Sequence, residues 1–185
     1  MLRRLALVLV AGSLLGGTAE LFAQADAADD PVWGDRLAVH DGFWISFGLG
    51  GGRDFGDEEF GSAGYIRLGG TVKPRWLVGG EVVGIFWEES EADISLGNVT
   101  FTVIHYPAGG FFLKGGVGFG GRDASVSEGD FRVTTSREGL GLTLGSGFEI
   151  RLGRNFFLTP GVDLLLQTID GGNVGVVFSL GATWH

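Results

Sequence analysis

Gly139-Leu140-Gly141-Leu142-Thr143-Leu144-Gly145-Ser146-Gly147-Phe148-Glu149-Ile150-Arg151-Leu152 is the stretch on which the fold turns. In an extended chain Leu140, Leu142, Leu144, Phe148, Ile150 and Leu152 share one face, and Gly139, Gly141, Thr143, Gly145, Gly147, Glu149 and Arg151 share the other. A strict two-residue period is the mark of a strand, because successive side chains of a strand point to opposite sides. One face is greasy and the other small or charged. A helix is disfavoured here, since each interior glycine costs roughly 1 kcal/mol relative to alanine. The chain carries 36 glycines in 185 residues without a collagen period, so the argument extends well beyond this segment.

The pattern recurs along the chain. Phe43, Ile45, Phe47 and Leu49 oppose Ser46, Gly48 and Gly50, with Trp44 among the latter, and a last strand sets out Val174, Val176, Phe178, Leu180, Ala182 and Trp184. Further strands are expected at about 62–73, 76–87, 94–106, 110–121 and 155–168, which makes eight. The fourth has the poorest contrast, because Thr100, Thr102, Ile104 and Tyr106 blur its faces. Pro160 interrupts the seventh, where a missing N–H calls for a bulge or a locally unpaired position. Lys73-Pro74-Arg75, Pro107-Ala108-Gly109 and Gly153-Arg154 read as tight turns. The stretches 53–61, 88–93, 122–136 and 169–173 read as longer, mostly acidic or polar loops.

Mean hydropathy is positive, at +0.27, yet no stretch approaches the roughly 20 consecutive apolar residues of a membrane-spanning helix. A chain that is apolar on average without a long apolar run spreads its apolar residues at a short period, as lipid-facing strands do. A soluble ligand-binding barrel also alternates. Here, however, the face opposite the apolar one is glycine and threonine with few charges, a poor water-facing surface but a good filling for a narrow bore. Eight strands leave room only for side chains inside. The expected fold is therefore all-β, an eight-stranded antiparallel up-and-down transmembrane barrel over residues 41–185. The sheet must close, since an open edge in lipid leaves backbone groups unpaired.

Ahead of the barrel, Arg3 and Arg4, the apolar run Leu5–Leu15 and Ala23-Gln24-Ala25 have the layout of a signal peptide over residues 1–25. Residues 26–40 form a short polar lead-in with Asp29, Asp30 and Pro31, expected in the periplasm. Cleavage would remove Arg3, Arg4 and Glu20 and take the formal net charge from −9 to −10. An acidic exported chain is a poor match for nucleic acid. Cysteine is absent. With both termini periplasmic, short turns face the periplasm and longer loops face outward.

On strand count, on glycine-rich strands such as Phe111-Phe112-Leu113-Lys114-Gly115-Gly116-Val117-Gly118, and on an aromatic-ended last strand, residues 41–185 resemble the small eight-stranded outer-membrane barrels of the OmpA/OmpX type. The resemblance implies insertion by the barrel-assembly machinery into the outer membrane of a Gram-negative envelope, among lipid and lipopolysaccharide, as a monomer. It also implies a terminal aromatic signal, here Trp184 together with Phe178, and His185 after it departs from the pattern. No cell-wall-binding domain is expected after the barrel.

Six charged residues fall in mid-strand on the glycine face: Arg67, Glu81, Lys114, Glu149, Arg151 and Asp163. Centring a turn on Pro74 sets Arg67 opposite Glu81, and charges enclosed in a barrel must be paired. They form either a structural polar core or the gate of a narrow ion path. Trp76, His105, Tyr106 and Phe111 are read as an aromatic interfacial belt. The acidic loops carry Asp54, Asp57, Glu58, Glu59, Glu88, Glu89, Glu91, Asp93, Asp123, Glu128 and Asp130. They match no ordered calcium loop and read as a solvated rim, although carboxylates could hold divalent ions between lipopolysaccharide phosphates. Gly116-Val117-Gly118-Phe119-Gly120-Gly121 satisfies G-x-G-x-x-G but lies in a strand with no helix after it, which removes the nucleotide reading. Asn98-Val99-Thr100, a glycosylation pattern, lies in a strand as well.

Lipid A hydrolases and acyltransferases of similar architecture use histidine and serine. His40, His105 and His185 have no serine and carboxylate at a spacing that shares their face. No catalytic residue, metal or cofactor is expected. The expected role is a non-enzymatic outer-membrane barrel that anchors acidic loops, envelope-structural or surface-interacting, with the loop partner open. A narrow, charge-gated pore is the first alternative and a lipid-modifying enzyme the second.

Overall fold

The computed structural model describes residues 40, 42–56, 59–89, 92–128 and 131–185. The signal segment and the lead-in up to residue 39 lie outside them. Among the described residues nine strands run antiparallel: β1 (Phe43–Asp54), β2 (Phe60–Lys73), β3 (Trp76–Glu89), β4 (Ala92–Ala108), β5 (Phe111–Glu128), β6 (Phe131–Phe148), β7 (Ile150–Arg151), β8 (Phe156–Gln167) and β9 (Asn173–Trp184). β7 is the continuation of β6 past Glu149, so the wall has eight staves. Each pairs with its chain neighbour, β1 pairs with β9, and β6 pairs with β8, which closes the sheet. Among the described residues no helix is long and apolar enough to cross a membrane, which says nothing of a β-barrel.

Alternation sorts the side chains as the pattern requires. Phe47, Leu49, Ile66, Val82, Val99, Phe101, Val117, Phe119, Leu140, Phe178 and Leu180 stand exposed on the outside. Such a girdle would be an aggregation surface in water and is the right surface for lipid. The inside is not only glycine and charge. Ala63, Tyr65, Val83, Ile85, Trp87, Ile94, Leu96, Leu165 and Val177 form one buried apolar cluster, and Trp44, Leu77, Ile104, Tyr106 and Phe112 form another. The two-faced apolarity of β3 and the mixed face of β4 follow from this. Thr100, Thr102, Ile104 and Tyr106 all point inward together, while Val99 and Phe101 point out.

Two expectations are revised. The stretch 122–136 is not a loop: β5 and β6 pair through to Ser127↔Arg132 and Glu128↔Phe131. The segment 88–93 is likewise mostly paired, with Glu88↔Asp93 and Glu89↔Ala92. About 9–11 residues cross the hydrocarbon in a tilted strand. β5 and β6, with 18 residues each, therefore run on as a hairpin beyond the girdle. Thr134, Thr135 and Val133 are good strand formers whatever their solvent, and polarity was the wrong guide to where the ladder stops.

Pro160 makes an unpaired position and not a bulge. β8 pairs with β6 down to Gly147↔Gly161 and resumes with β7 at Ile150↔Leu158, on the same register. The skipped positions are those opposite Pro160 and Thr159, while β8 keeps its full ladder to β9, including Pro160↔Leu180. Having no N–H to give on that side, Pro160 leaves a gap in the wall at Phe148 and Glu149.

Val117 lies near the middle of the girdle and Val133 on the protruding hairpin, both exposed. We expect Val117→Arg to destabilise the folded barrel by about 2–4 kcal/mol and Val133→Arg by about 0–1 kcal/mol, measured by urea unfolding in lipid vesicles. Equal costs would mean that the girdle does not face lipid.

Candidate functional site

The candidate site is the bore, which is filled in layers. At mid-height four strands contribute one charge each. Arg67 on β2 stands directly across from Glu81 on β3 in the ladder, and its Nε donates to Glu81 at 2.8 Å. A second arm of Arg67 donates to Asp163 on β8 at 2.5 Å. Lys114 on β5 donates to Glu81 and lies 3.1 Å from Asp163. The ring is two cations and two anions, each no more than 5% exposed. Neutrality is what permits it, since an isolated charge in such a place would be unfavourable by several kcal/mol.

Neighbours finish the hydrogen bonding. Thr102 donates to the free oxygen of Glu81 at 3.1 Å and meets Thr100 at 3.0 Å. The Arg67 guanidinium lies 3.6 Å from the centre of the Tyr65 ring, a cation over an aromatic face. Lys114 and Asp163 can meet only because Gly145 lies between them on β6, where a Cβ would come within 2.7 Å of the Lys114 Cε. Beside this ring, Gln167 donates to Asn98 at 2.9 Å and Asn98 donates to Thr143 at 3.1 Å.

A second polar cluster lies at the end of the bore that carries the Lys73-Pro74-Arg75 turn. Glu149, buried in the gap opposite Thr159, accepts a hydrogen bond from Tyr106 at 2.7 Å. It also faces the Nε2 atoms of His40 at 3.3 Å and His185 at 3.2 Å. Its backbone N–H turns away from β8 to the Gly110 carbonyl, at 2.8 Å.

The sequence-derived candidates thus divide. Arg67, Glu81, Lys114 and Asp163 meet in the central ring; Glu149 belongs to the end cluster. Arg151 is in neither: its guanidinium donates to the carbonyls of Gly153 at 2.9 Å and Arg154 at 2.6 Å, at the turn. Of the aromatic set, Trp76 lies outside, stacked on His105 with centroids 4.1 Å apart. Trp184 packs outside between Phe47 and Phe156, and Phe178 is exposed. Tyr106 is corrected: it is buried in the bore, not in the belt, because His105 beside it points outward and the next residue of a strand must point the other way. The approach of His40 and His185 to Glu149 was missed. Its only trace in the sequence is that all three lie at strand ends on the same side of the barrel.

No protein-family model matches the chain, and no curated protein matches it in sequence. Solved structures do match in fold. Ail, the attachment invasion locus protein of Yersinia pestis, solved in complex with the heparin analogue sucrose octasulfate, superposes with a TM-score of 0.57 at 22% identity. The match covers 78% of this chain and 99% of that one. Neisserial surface protein A gives 0.60 at 14% identity, covering 77% and 96%. The N-terminal barrel domain of Pseudomonas aeruginosa OprF gives 0.50 at 12%, covering 78% and 98%. By this fold and its apolar wall, the chain has the architecture of the small eight-stranded outer-membrane β-barrels.

Removing one member of the central ring leaves its partners charged and buried. We expect Glu81→Gln to cost on the order of 3–5 kcal/mol, and the double variant Glu81→Gln/Lys114→Gln to cost clearly less than the sum of the two single changes. Both are read by denaturant unfolding of the refolded barrel. Additive costs would mean the two charges do not interact.

Proposed function

We propose that this barrel is a non-enzymatic, non-conducting scaffold of the outer membrane, whose outward part is the acidic, strand-built end. One observation carries the reading: the bore is filled along its length. The apolar cluster around Ile85, Trp87, Leu96 and Leu165, the neutral ring of Arg67, Glu81, Lys114 and Asp163, and the cluster around Trp44 and Phe112 follow one another. The void lined by Trp44, Ser46, Arg67, Tyr106 and Glu149 is about 10 Å³, room for about one water molecule. An ion moving through would have to break a ring in which every charge is paired.

The turn end, with Lys73, Arg75 and Arg154, is assigned to the periplasm, and the opposite end to the outside. There Glu59, Glu88, Glu89, Asp93, Asp123 and Glu138 rise around the strand ends. Carboxylates outnumber cations on that rim, so a sulfated polyanion like the one bound to Ail would meet repulsion here. The surface suits a partner of basic character or a role in the envelope itself. The barrel contributes rigidity, holding the β5–β6 hairpin clear of the lipid.

Planar-bilayer recording tests the closed bore. We expect the wild-type barrel to give no reproducible conductance steps. Stable steps that vanish or change size in Arg67→Gln would replace the scaffold with a gated pore.

A further inference from the structure

We propose that His40, Glu149 and His185 form a binding site for one divalent transition-metal ion of the zinc type at the turn end of the barrel. The three come from separate places: His40 just before β1, His185 just after β9, and Glu149 in the gap between β6 and β7. One ligand atom from each lies within 4.8 Å of the others. His40 and Glu149 are buried, and the His185 side chain is only 8% exposed.

The hydrogen bonding of His40 is the main argument. Its Nδ1 is 3.1 Å from the Pro74 carbonyl, which can only accept, so the ring proton belongs there. With Nδ1 engaged there, Nε2 is the ring atom that faces Glu149, 3.3 Å from its carboxylate oxygen, in the position of a ligand nitrogen. A histidine whose far nitrogen donates to a backbone carbonyl is the usual outer-shell arrangement of a metal ligand, because it fixes the tautomer and the ring orientation. Tyr106 does the same for the carboxylate by donating to it at 2.7 Å.

The spacing also fits. Ligands about 2.0–2.1 Å from a tetrahedral zinc ion stand about 3.3 Å apart along the tetrahedron's edges. The two nitrogen-to-carboxylate edges match, at 3.2 Å and 3.3 Å, and all three ligand atoms lie within 4.8 Å of one another, so the histidine rings need close only slightly around an ion. Two imidazoles and one carboxylate favour zinc-like ions over magnesium or calcium, which prefer oxygen. The water-sized void beside Glu149 and Tyr106 offers a fourth ligand. A bound ion would tie the entry to β1 and the exit of β9 to the gap between β6 and β7, and so fasten the barrel where that ladder is broken.

The test is zinc binding by the full chain, refolded without an affinity tag and titrated calorimetrically with Zn2+, with the absorption spectrum of bound Co2+ as a second readout. Expected are one ion per chain, a four-coordinate cobalt spectrum, and affinity reduced at least tenfold in His40→Ala, Glu149→Gln and His185→Gln. His105→Ala, on the outer surface, should bind like wild type. Folding of each variant is checked by its far-ultraviolet circular dichroism. His185→Gln, beyond the last strand, serves if His40→Ala does not refold. Absence of stoichiometric binding to wild type, binding unchanged in the folded site variants, or loss in His105→Ala would each overturn the proposal.

Discussion

Every backbone N–H and C=O inside the lipid layer must find a partner within the protein, and the rest of this structure follows from that constraint. A sheet with edges cannot satisfy it, so β6 returns to β8 and the wall closes. With eight staves the closed wall is narrow, and its interior becomes a core instead of a channel. The same constraint makes Pro160 consequential. One missing donor opens the ladder at Glu149, and that residue's own N–H is satisfied from the other side, by Gly110.

Closure then governs the charges. Arg67, Lys114, Glu81 and Asp163 share a buried space, where they are tolerable only as a neutral, mutually bonded set. Glycine is the complement of this arrangement. Where Lys114 and Asp163 cross the inner face of β6, Gly145 keeps the wall clear, and the Tyr65 ring lies against Gly48. The apolar layers above and below bury the ring in low-dielectric surroundings that strengthen its hydrogen bonds.

The strands, their faces and the closed topology were legible because alternation is a local property and recurs throughout the chain. The Arg67–Glu81 pairing expected from a turn centred on Pro74 is observed, but by another route: the turn closes at Lys73↔Trp76, and the register shift between Thr71 and Lys73 restores the alignment that sets Arg67 opposite Glu81. The inner aromatic and aliphatic core was not legible. In β3, Val82 and Phe86 face lipid while Val83, Ile85 and Trp87 face inward, so both faces read alike. Tyr106 was misplaced for a related reason, its neighbour His105 being the outward aromatic. The ends of β5 and β6 were misjudged because polarity reports where lipid stops, whereas hydrogen bonding decides where a strand stops.

The sequence by itself determined the class of the fold, the side of the wall on which each residue of the regular strands falls, and the presence of charges that would need partners. Only the tertiary structure decided which charges meet. Lys114 reaches Glu81 and Asp163, and His40 and His185 converge on Glu149, from strands far apart in the chain. The reason is geometric. Alternation and a hairpin's register are set within a few residues, but neighbours across a bore depend on strand tilt and on the closure of the whole ring, which no short stretch of sequence encodes.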